Sequence, residues 1–482
     1  MRRLFDKVLE EWANDSGAKP MLLRGARQVG KTECIRQFAR PRYDSVAEVN
    51  FVERPDFKGI VQDGFSAEAI RRNLTRLDPS IRLPSGRTLL FFDEIQDAPE
   101  VATALKFLAQ DRRADVICSG SLLGVHYKRI PSIAVGYQET LEMRSLDFRE
   151  FLLACGYPAE LPDEWLAHLV EARPFSPLEC ATFGRLFLDY CTLGGMPDVL
   201  SRYFENRTFE GTLDAQRRIL ADYRSDVRKY AEGLDQTRIL AVFDAIPAQL
   251  AKENRKFQIS KVAHGARFRE YWGCVEWLRD AGVATVCPAL NFPELPVKGN
   301  VDPSRFKLYM ADSGLLLSML DDEAQTDVRA RRNLGTWKGG FFENVVAEAL
   351  IKAGADTAWW KRENATLEMD FFLRCRDRIV PVEVKAENAR GKSLRALIDG
   401  AHYPDVAWGI KVVNGNIGWD RSVLTIPQWC AFLLRDLLRE GGPMPARELW
   451  SRPAPAGINS HCAWCILHGA LHAAPALPRA VR

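Results

Sequence analysis

Gly25-Ala26-Arg27-Gln28-Val29-Gly30-Lys31-Thr32 decides how the N-terminal half is read. Pro20-Met21-Leu22-Leu23 enters it as a short apolar strand, and Glu33-Cys34-Ile35-Arg36-Gln37-Phe38 leaves it with helical periodicity. A strand, a glycine-bounded loop and a helix start gather backbone N–H groups around one point, where the helix dipole adds partial positive charge. That is a cradle for phosphate. Lys31 is placed to reach the outer phosphates, and the Thr32 hydroxyl is a hard ligand suited to Mg²⁺.

The second half of such a site lies about 60 residues downstream. Thr88-Leu89-Leu90-Phe91-Phe92 is an unbroken β-prone run, as expected of a strand buried on both faces, and it ends in Asp93-Glu94. Side chains at the carboxyl edge of a parallel sheet face the ligand crevice of open α/β folds. Asp93 is the expected metal residue and Glu94 the group that polarises the attacking water. Ala114-Asp115-Val116-Ile117-Cys118 is a further strand ending in Ser119-Gly120-Ser121. Ser119 is expected to feel the terminal phosphate; a turn-capping serine is the plain alternative.

The 482 residues allow two to four domains, and 47% hydrophobic with 27% charged residues is a globular composition. A net charge of +3 gives no global electrostatic argument for nucleic acid, so local patches must carry any such claim. No apolar stretch approaches the ~20 residues of a membrane-crossing helix. Charges interrupt the first residues, where Leu4, Phe5, Val8, Leu9 and Trp12 fall on one face of an amphipathic helix. Eleven cysteines without a disulfide pattern fit a reducing, cytoplasmic compartment.

The fold class expected is α/β. Residues 1–155 read as a doubly wound P-loop NTPase domain, with strands near 20–24, 46–52, 88–92 and 115–119. Residues 156–290 read as a helical lid and a winged-helix-like module: Gln236 to Lys252 as a helix with a kink at Pro247, Ile259–Ala263 as a short second, Phe268 to Asp280 as a third, then a strand. Arg267, Arg269 and Arg279 offer positive charge to DNA, but Glu270, Glu276 and Asp280 offset it, and packing against protein is the favoured role. Residues 291–304 read as a proline-rich linker and 305–430 as a second α/β domain. Residues 441–482 are expected to be a disordered tail, since 451–482 contain no acidic residue and four prolines. His461, Cys462, Cys465, His468 and His472 crowd together there, too closely for the separated ligand pairs of a zinc site.

A second constellation lies in the C-terminal half. Glu343 sits in the helical run 340–350, Asp370 in the strand-like Leu367–Leu373, and Glu383 and Lys385 in Ile379–Lys385, the second arm of a hairpin. Three carboxylates meeting there would hold a second Mg²⁺ through hard oxygens, with Lys385 steadying water or phosphate. This layout resembles the PD-(D/E)XK nuclease-like fold, a restriction-endonuclease-like α/β domain. Glu-x-Lys pairs on exposed strands are also common, so cleavage does not follow from the motif.

Taken together, roughly residues 1–430 resemble prokaryotic AAA-type (AAA+) ATPases that carry a C-terminal domain of unknown function with a restriction-endonuclease-like end. The words that carry the likeness are Gly25–Thr32, Leu89–Glu94 with Ile95-Gln96, Ser119-Gly120-Ser121, Gly194-Gly195-Met196-Pro197, Tyr309–Leu315, Phe342-Glu343-Asn344, Glu368–Phe371 and Glu383-Val384-Lys385. The resemblance implies ATP as ligand, Mg²⁺ as cofactor, nucleic acid or protein as partner, and subunits that can pair. It departs where such proteins carry a basic residue after the serine motif: here Val135-Gly136-Tyr137 stands, and Tyr137 cannot act as an arginine finger. Arg144 and Arg149 lie nearby. Three functions stay open: a nucleotide switch for protein partners, an ATP-gated nuclease on DNA or RNA, and a non-cleaving DNA-binding ATPase.

Overall fold

A computed structural model describes residues 1–450 apart from 16, 85–86, 121–135, 232–234, 253–254, 336, 364, 388–390 and 401. Ser121 and the Cys/His group of residues 461–472 lie outside the described residues. The chain starts with α1 (Phe5–Asn14), which buries Leu9 and Trp12 and leaves Leu4 exposed. Then β1 (Met21–Arg24), α2 (Lys31–Ala39), β2 (Ser45–Asn50), α3 (Ala67–Leu77), β3 (Thr88–Asp93), α4 (Pro99–Asp111), β4 (Asp115–Gly120) and β5 (Glu139–Glu142) follow in order.

The five strands form one parallel sheet in the order β2-β3-β4-β1-β5. Alternation along the strands makes two cores. Leu23, Leu89, Phe91 and Ile117 pack with Leu9, Trp12 and Ile35 on one face. Leu22, Leu90, Phe92, Val116 and Cys118 pack with Ile70, Leu74, Val101 and Leu105 on the other. β3, sandwiched by both layers, is buried at every position. This doubly wound P-loop NTPase fold is the one read from the sequence.

The helical middle comprises α5 (Phe148–Ala154), α6 (Leu161–Glu171), α7 (Pro177–Leu193), α8 (Pro197–Asn206), α9 (Thr212–Tyr230), α10 (Gln236–Leu250) and α11 (Phe268–Asp280). Capping boxes start α5 (Asp147 with Glu150) and α7 (Ser176 with Glu179) by satisfying N–H groups that the first turn leaves without acceptors. Pro247 lies in the last turn of α10, which runs on to Leu250. The short second helix expected at Ile259–Ala263 is instead a single 3₁₀ turn, Ile259–Lys261.

The C-terminal half contains β6 (Ala284–Leu290), β7 (Val301–Met310), α12 (Ser313–Ser318), α13 (Ala324–Ala330), α14 (Trp337–Lys352), β8 (Ala358–Lys361), β9 (Glu368–Cys375), β10 (Arg378–Val384), α15 (Lys392–Ile398), β11 (Gly409–Val413), β12 (Gly418–Asp420), β13 (Val423–Pro427), α16 (Leu434–Arg439) and α17 (Met444–Trp450). One eight-stranded sheet runs β12-β13-β11-β10-β9-β8-β6-β7. The strands β8, β9 and β10 are an antiparallel meander, and β11 lies parallel to β10.

Two expected boundaries shift. Residues 291–304 are no interdomain linker: β6 and β7 pair antiparallel across them, and the Asn291 N–H donates to the Asn300 carbonyl at 2.8 Å. Proline suggested a spacer, but Leu290 is buried with Trp360 and Tyr403, and Phe292, Leu295, Val297 and Val301 pack against them, which folds the segment onto the sheet. Nor does the ordered chain stop at 441. Gly441 and Gly442, at φ 91° and 78°, turn it back so that α17 docks and Ala446 is fully buried.

The glycines of Gly194-Gly195-Met196-Pro197 are fixed by a polar junction between the halves. The Asp312 carboxylate accepts from the Ser145 hydroxyl (2.8 Å), the Gly195 N–H (2.8 Å) and the N–H groups of Gly314 and Leu315 that open α12. A Cβ on Gly194 would sit 2.0 Å from Asp312 Oδ1, and one on Gly195 would sit 1.9 Å from the Leu146 carbonyl oxygen. Beside it, Glu348 on α14 takes the Lys352 ammonium (2.6 Å), the Tyr190 hydroxyl (2.9 Å) and the Ser313 N–H (2.8 Å).

Candidate functional site

Gly25–Thr32 leaves β1 at the carboxyl edge of the parallel sheet and turns into α2. Two positive-φ residues shape the bend, Gln28 (63°) and Gly30 (91°). Gly25 must be glycine for another reason: a Cβ there would stand 2.1 Å from the Met143 carbonyl oxygen. Ala26 and Val29 face inward and are buried. Lys31 folds its ammonium over the loop, donating to the carbonyls of Gly25 (3.0 Å) and Ala26 (2.8 Å). Burial pushes its pKa down to about 8, against the opposing pull of Glu94 and Asp93, which places both acids near the ammonium.

Asp93, at the end of β3, is the centre of the site and is 4% exposed. Its Oδ2 accepts from the Thr32 hydroxyl at 3.0 Å and from Asn50 Nδ2 at 3.2 Å. Its Oδ1 accepts from the Glu94 N–H at 3.1 Å and from the Ser119 hydroxyl. Mg²⁺ holds oxygens at 2.0–2.1 Å in an octahedron, so neighbouring ligands in its shell lie about 2.9 Å apart. The Thr32–Asp93 spacing has that length. The donor set is a hydroxyl and a carboxylate, with an ammonium beside them for phosphate, and it fits Mg²⁺ carried by a nucleotide. Glu94 follows with φ 56°, a conformation that swings its side chain out of line with the strand, and Gln96 donates to its carboxylate. Ser119 is fully buried and spends its hydroxyl on Asp93 rather than pointing away from the sheet.

The phosphate loop is clasped from two sides. Arg3, just before α1, donates to the Val29 carbonyl (2.9 Å), the Arg144 carbonyl (2.7 Å) and Glu150 (2.9 Å). From the helical middle, α9 presents Asp222 to the Gln28 side chain (2.6 Å), Tyr223 to the Arg27 carbonyl (3.2 Å) and Asp226 to the Arg27 guanidinium (3.0 Å). Both arginines near the serine motif are engaged within the chain. Arg149 pairs with Asp147 and Asp436, while Arg144 pairs with Glu142 at 3.0 Å and lines a cleft of about 270 Å³ with Arg24, Gly25 and Arg279. Tyr137 is exposed, with the Lys106 ammonium 5.2 Å from its ring centre.

In the C-terminal sheet, α14 brings Glu343 down against β7 and β9. Its Oε1 accepts from the Lys307 ammonium (2.8 Å) and the Tyr309 hydroxyl (2.6 Å), and its Oε2 from Arg255. Asp370 lies 3.5 Å from Lys307 and 3.9 Å from Arg255, and its other oxygen accepts from the Val384 N–H at 2.8 Å. Burial works against ionising Glu343, but Lys307 and Arg255 outweigh it and hold the pKa at about 2. Burial and then the Glu343 charge push Asp370 up to about 7. On β10, one step past the last registered pair with β9, Glu383 pairs with Lys385 at 2.8 Å through one oxygen; the other is buried without a hydrogen-bond partner. Of the expected acids, Glu343 and Asp370 meet the same two cations, whereas Glu383 pairs with Lys385, and the protein's own cations stand where the sequence reading puts a second Mg²⁺. Among the described residues no group of three or more His, Cys, Asp or Glu is arranged to hold a metal ion.

Comparison with known proteins places a name on the first of these sites. The AAA domain family matches residues 17–152. Over those residues the chain is similar to AAA-type ATPase domains. Two families described only as domains of unknown function match the rest: DUF8612 over residues 184–326 and DUF4143 over residues 338–429. No curated protein matches the chain. Among solved structures, the Walker-type ATPase PABY2304 of Pyrococcus abyssi is 14% identical, covers 66% of this chain and 95% of its own, and has a TM-score of 0.40. The ORC1 protein of Aeropyrum pernix in complex with DNA is 14% identical over 68% of this chain and 90% of its own, at 0.27. DnaA of Aquifex aeolicus with AMPPCP is 13% identical over 57% and 85%, at 0.26. The assignment rests on the family match. No helix among the described residues is long and apolar enough to cross a membrane.

Several residues of the AAA-type domain and its surroundings are not signalled by any motif. Arg3 reads as a charge breaking an apolar helix, Asn50 as a strand end, and Asp222 and Asp226 as solvated helix acids. A warning was present for α9: Tyr223 and Val227, a turn apart, share a face with Asp226 and mark that face as packed. Lys307 and Arg255 carry no such signal, because their partners are distant in sequence.

Proposed function

We propose that ATP binds with Mg²⁺ at Gly25–Thr32 and is hydrolysed there, making the protein a nucleotide-driven switch whose nuclease-like C-terminal domain is its effector or docking part. The observation that carries this is the Thr32–Asp93 oxygen pair at 3.0 Å, beside an ammonium seated over a glycine-bounded loop within the AAA-matched residues. Mg²⁺, which Thr32 and Asp93 would hold, would supply positive charge to offset the charge that develops on the phosphates. Lys31 holds the phosphates, Thr32 and Asp93 orient toward the metal, and Asn50 and Ser119 fix the Asp93 carboxylate so that it does not rotate. Glu94 positions the attacking water. α9, which grips Arg27 and Gln28, carries the change in the loop into the helical middle.

An ATP-gated nuclease on DNA or RNA is the second reading. The unpartnered oxygen of Glu383 and its place on the strand beside Asp370 favour it. The cations held on Glu343 speak against a site that is always open. Reading of DNA by α11 draws less support: Arg279 pairs with Glu276 and Asp280, and Glu270 pairs with Arg238.

Glu94→Gln tests the hydrolytic role. The variant should bind ATP as the wild type does and lose about 10²–10⁴-fold in turnover, the usual worth of a positioned base. Turnover at the wild-type rate would remove Glu94 from the mechanism. Running the same assay with and without DNA or RNA separates the switch for protein partners from the readings that need nucleic acid.

A further inference from the structure

We propose that Arg27 is a second phosphate-binding cation of the nucleotide site, aimed at the outermost phosphate by Asp226, so that α9 completes a site whose motifs all lie in the AAA-matched residues. This rests on reading Gly25–Thr32 as the place where ATP binds and is hydrolysed. Arg27 stands in the bend itself, and its Nη1 pairs with Asp226 Oδ1 at 3.0 Å. The partners differ in setting: the Asp226 side chain is 6% exposed and that of Arg27 is 33% exposed. A guanidinium carries five N–H donors in a rigid fork, so a pair made through Nη1 leaves donors for a phosphate. Beside this pair, Tyr223 donates to the Arg27 carbonyl (3.2 Å) and Gln28 donates to Asp222 (2.6 Å). Three residues of α9 thus fix two consecutive residues of the loop.

The neighbours of the pair place it at the outer end of the site. Burial lowers the Lys31 pKa most; Arg27 lowers it further and Asp226 opposes that, which sets both partners near the ammonium. Burial also raises Asp226, against the pull of Arg27, and Glu94 adds to the rise. Asp226 therefore lies toward Glu94, the residue proposed to position the attacking water. Charge builds there on the phosphate being transferred. Asp93, Glu94 and Asp226 already concentrate negative charge around it, and a guanidinium binds phosphate oxygens in a fixed geometry. Other candidates are spent or lack charge: Arg149 pairs with Asp147 and Asp436, Arg144 pairs with Glu142, and Tyr137 brings no cation.

The test measures the affinities of the full chain for ATP and for ADP, both with Mg²⁺, and its rate of ATP turnover. Arg27→Ala should weaken ATP about 10–100-fold, the worth of a hydrogen bond to a charged group, and ADP by no more than about threefold, since ADP lacks the phosphate that Arg27 meets. Turnover at saturating ATP should fall at least about 100-fold, and Arg27→Lys, which keeps the charge without the fork, should recover part of both losses. Asp226→Asn keeps the shape of the side chain and removes the charge that aims Arg27. It should slow turnover at least about tenfold in the parent and less than about twofold where Arg27 is already alanine. Removing Arg27 alone strips a buried acid of its partner, so the Arg27→Ala/Asp226→Asn double variant repeats the comparison of ATP with ADP with neither charge present. Equal losses of ATP and ADP in variants with parental melting temperatures would overturn the proposal, as would parental turnover in Asp226→Asn. Both results leave the ATP site standing; undiminished ATP affinity in Lys31→Ala would remove that site and this proposal with it.

Discussion

At the scale of single residues, the site is held in place by groups that no motif announces. Glu94 and Gln28 adopt left-handed backbone conformations without being glycine, at φ 56° and 63°, a strain that surrounding structure must hold. Arg3 is part of that hold. Its side chain and that of Glu150 are 7% and 6% exposed, and Glu150 also accepts from the N–H groups of Leu4 and Asp147. Arg3→Ala leaves the Glu150 carboxylate buried without its cation, so it should cost about 3–5 kcal/mol in urea unfolding. A loss below about 1 kcal/mol would show that Glu150 finds water or another partner. The residues proposed to hold the nucleotide stand out in the sequence because phosphate chemistry would confine them to one loop and two strand ends. Arg3 does not, since its partners lie 26 to 147 residues away.

At the scale of elements, α9 is the connection between the loop and the helical middle. Asp226 on it is pushed up to about 6 by burial, helped by Asp222 and Glu94 and opposed by Arg27 and Lys229. Folded, the carboxyl keeps its proton to about pH 6; unfolded, it releases it near 3.8. Between those values the folded state binds more protons, so stability falls as pH rises through this window. Asp226→Asn carries no such proton. Its melting temperature relative to the wild type should climb from pH 4 to pH 6, and a flat difference would mean that Asp226 is not buried against Arg27. Periodicity gave the elements of the AAA-type half because strand and helix alternate in sequence. It failed at 291–304, where proline-rich sequence closes a hairpin: which strand pairs with which depends on Trp360 and Tyr403, supplied from far along the chain.

Across the whole molecule, two buried polar clusters are joined by one helix. α14 carries Glu343 near its start and Glu348 and Lys352 near its end, so the caged carboxylates and the Asp312 junction share a rigid body. The junction reaches the phosphate loop through Gly195 and the following turn, where Pro197 lies 3.3 Å from the position of a Cβ on Gly30. The sequence words that first suggested kinship thus meet in the middle of the protein, where their role is to lock the halves together. That role was not legible: Gly-Gly and Ala-Asp-Ser-Gly are separated by more than 100 residues and mean nothing until they touch. Physical contact makes coupling possible but does not measure it.

All of this depends on the N-terminal pocket holding a nucleotide. Calorimetric titration of ATP with Mg²⁺ into the full chain and into Lys31→Ala tests it most directly. Saturable one-to-one binding in the first, weakened by at least about 100-fold or lost in the second, is the expected result, since a charge-assisted bond to phosphate is worth about 3 kcal/mol. Equal affinity in both proteins would mean that the Lys31 loop is not where the triphosphate sits.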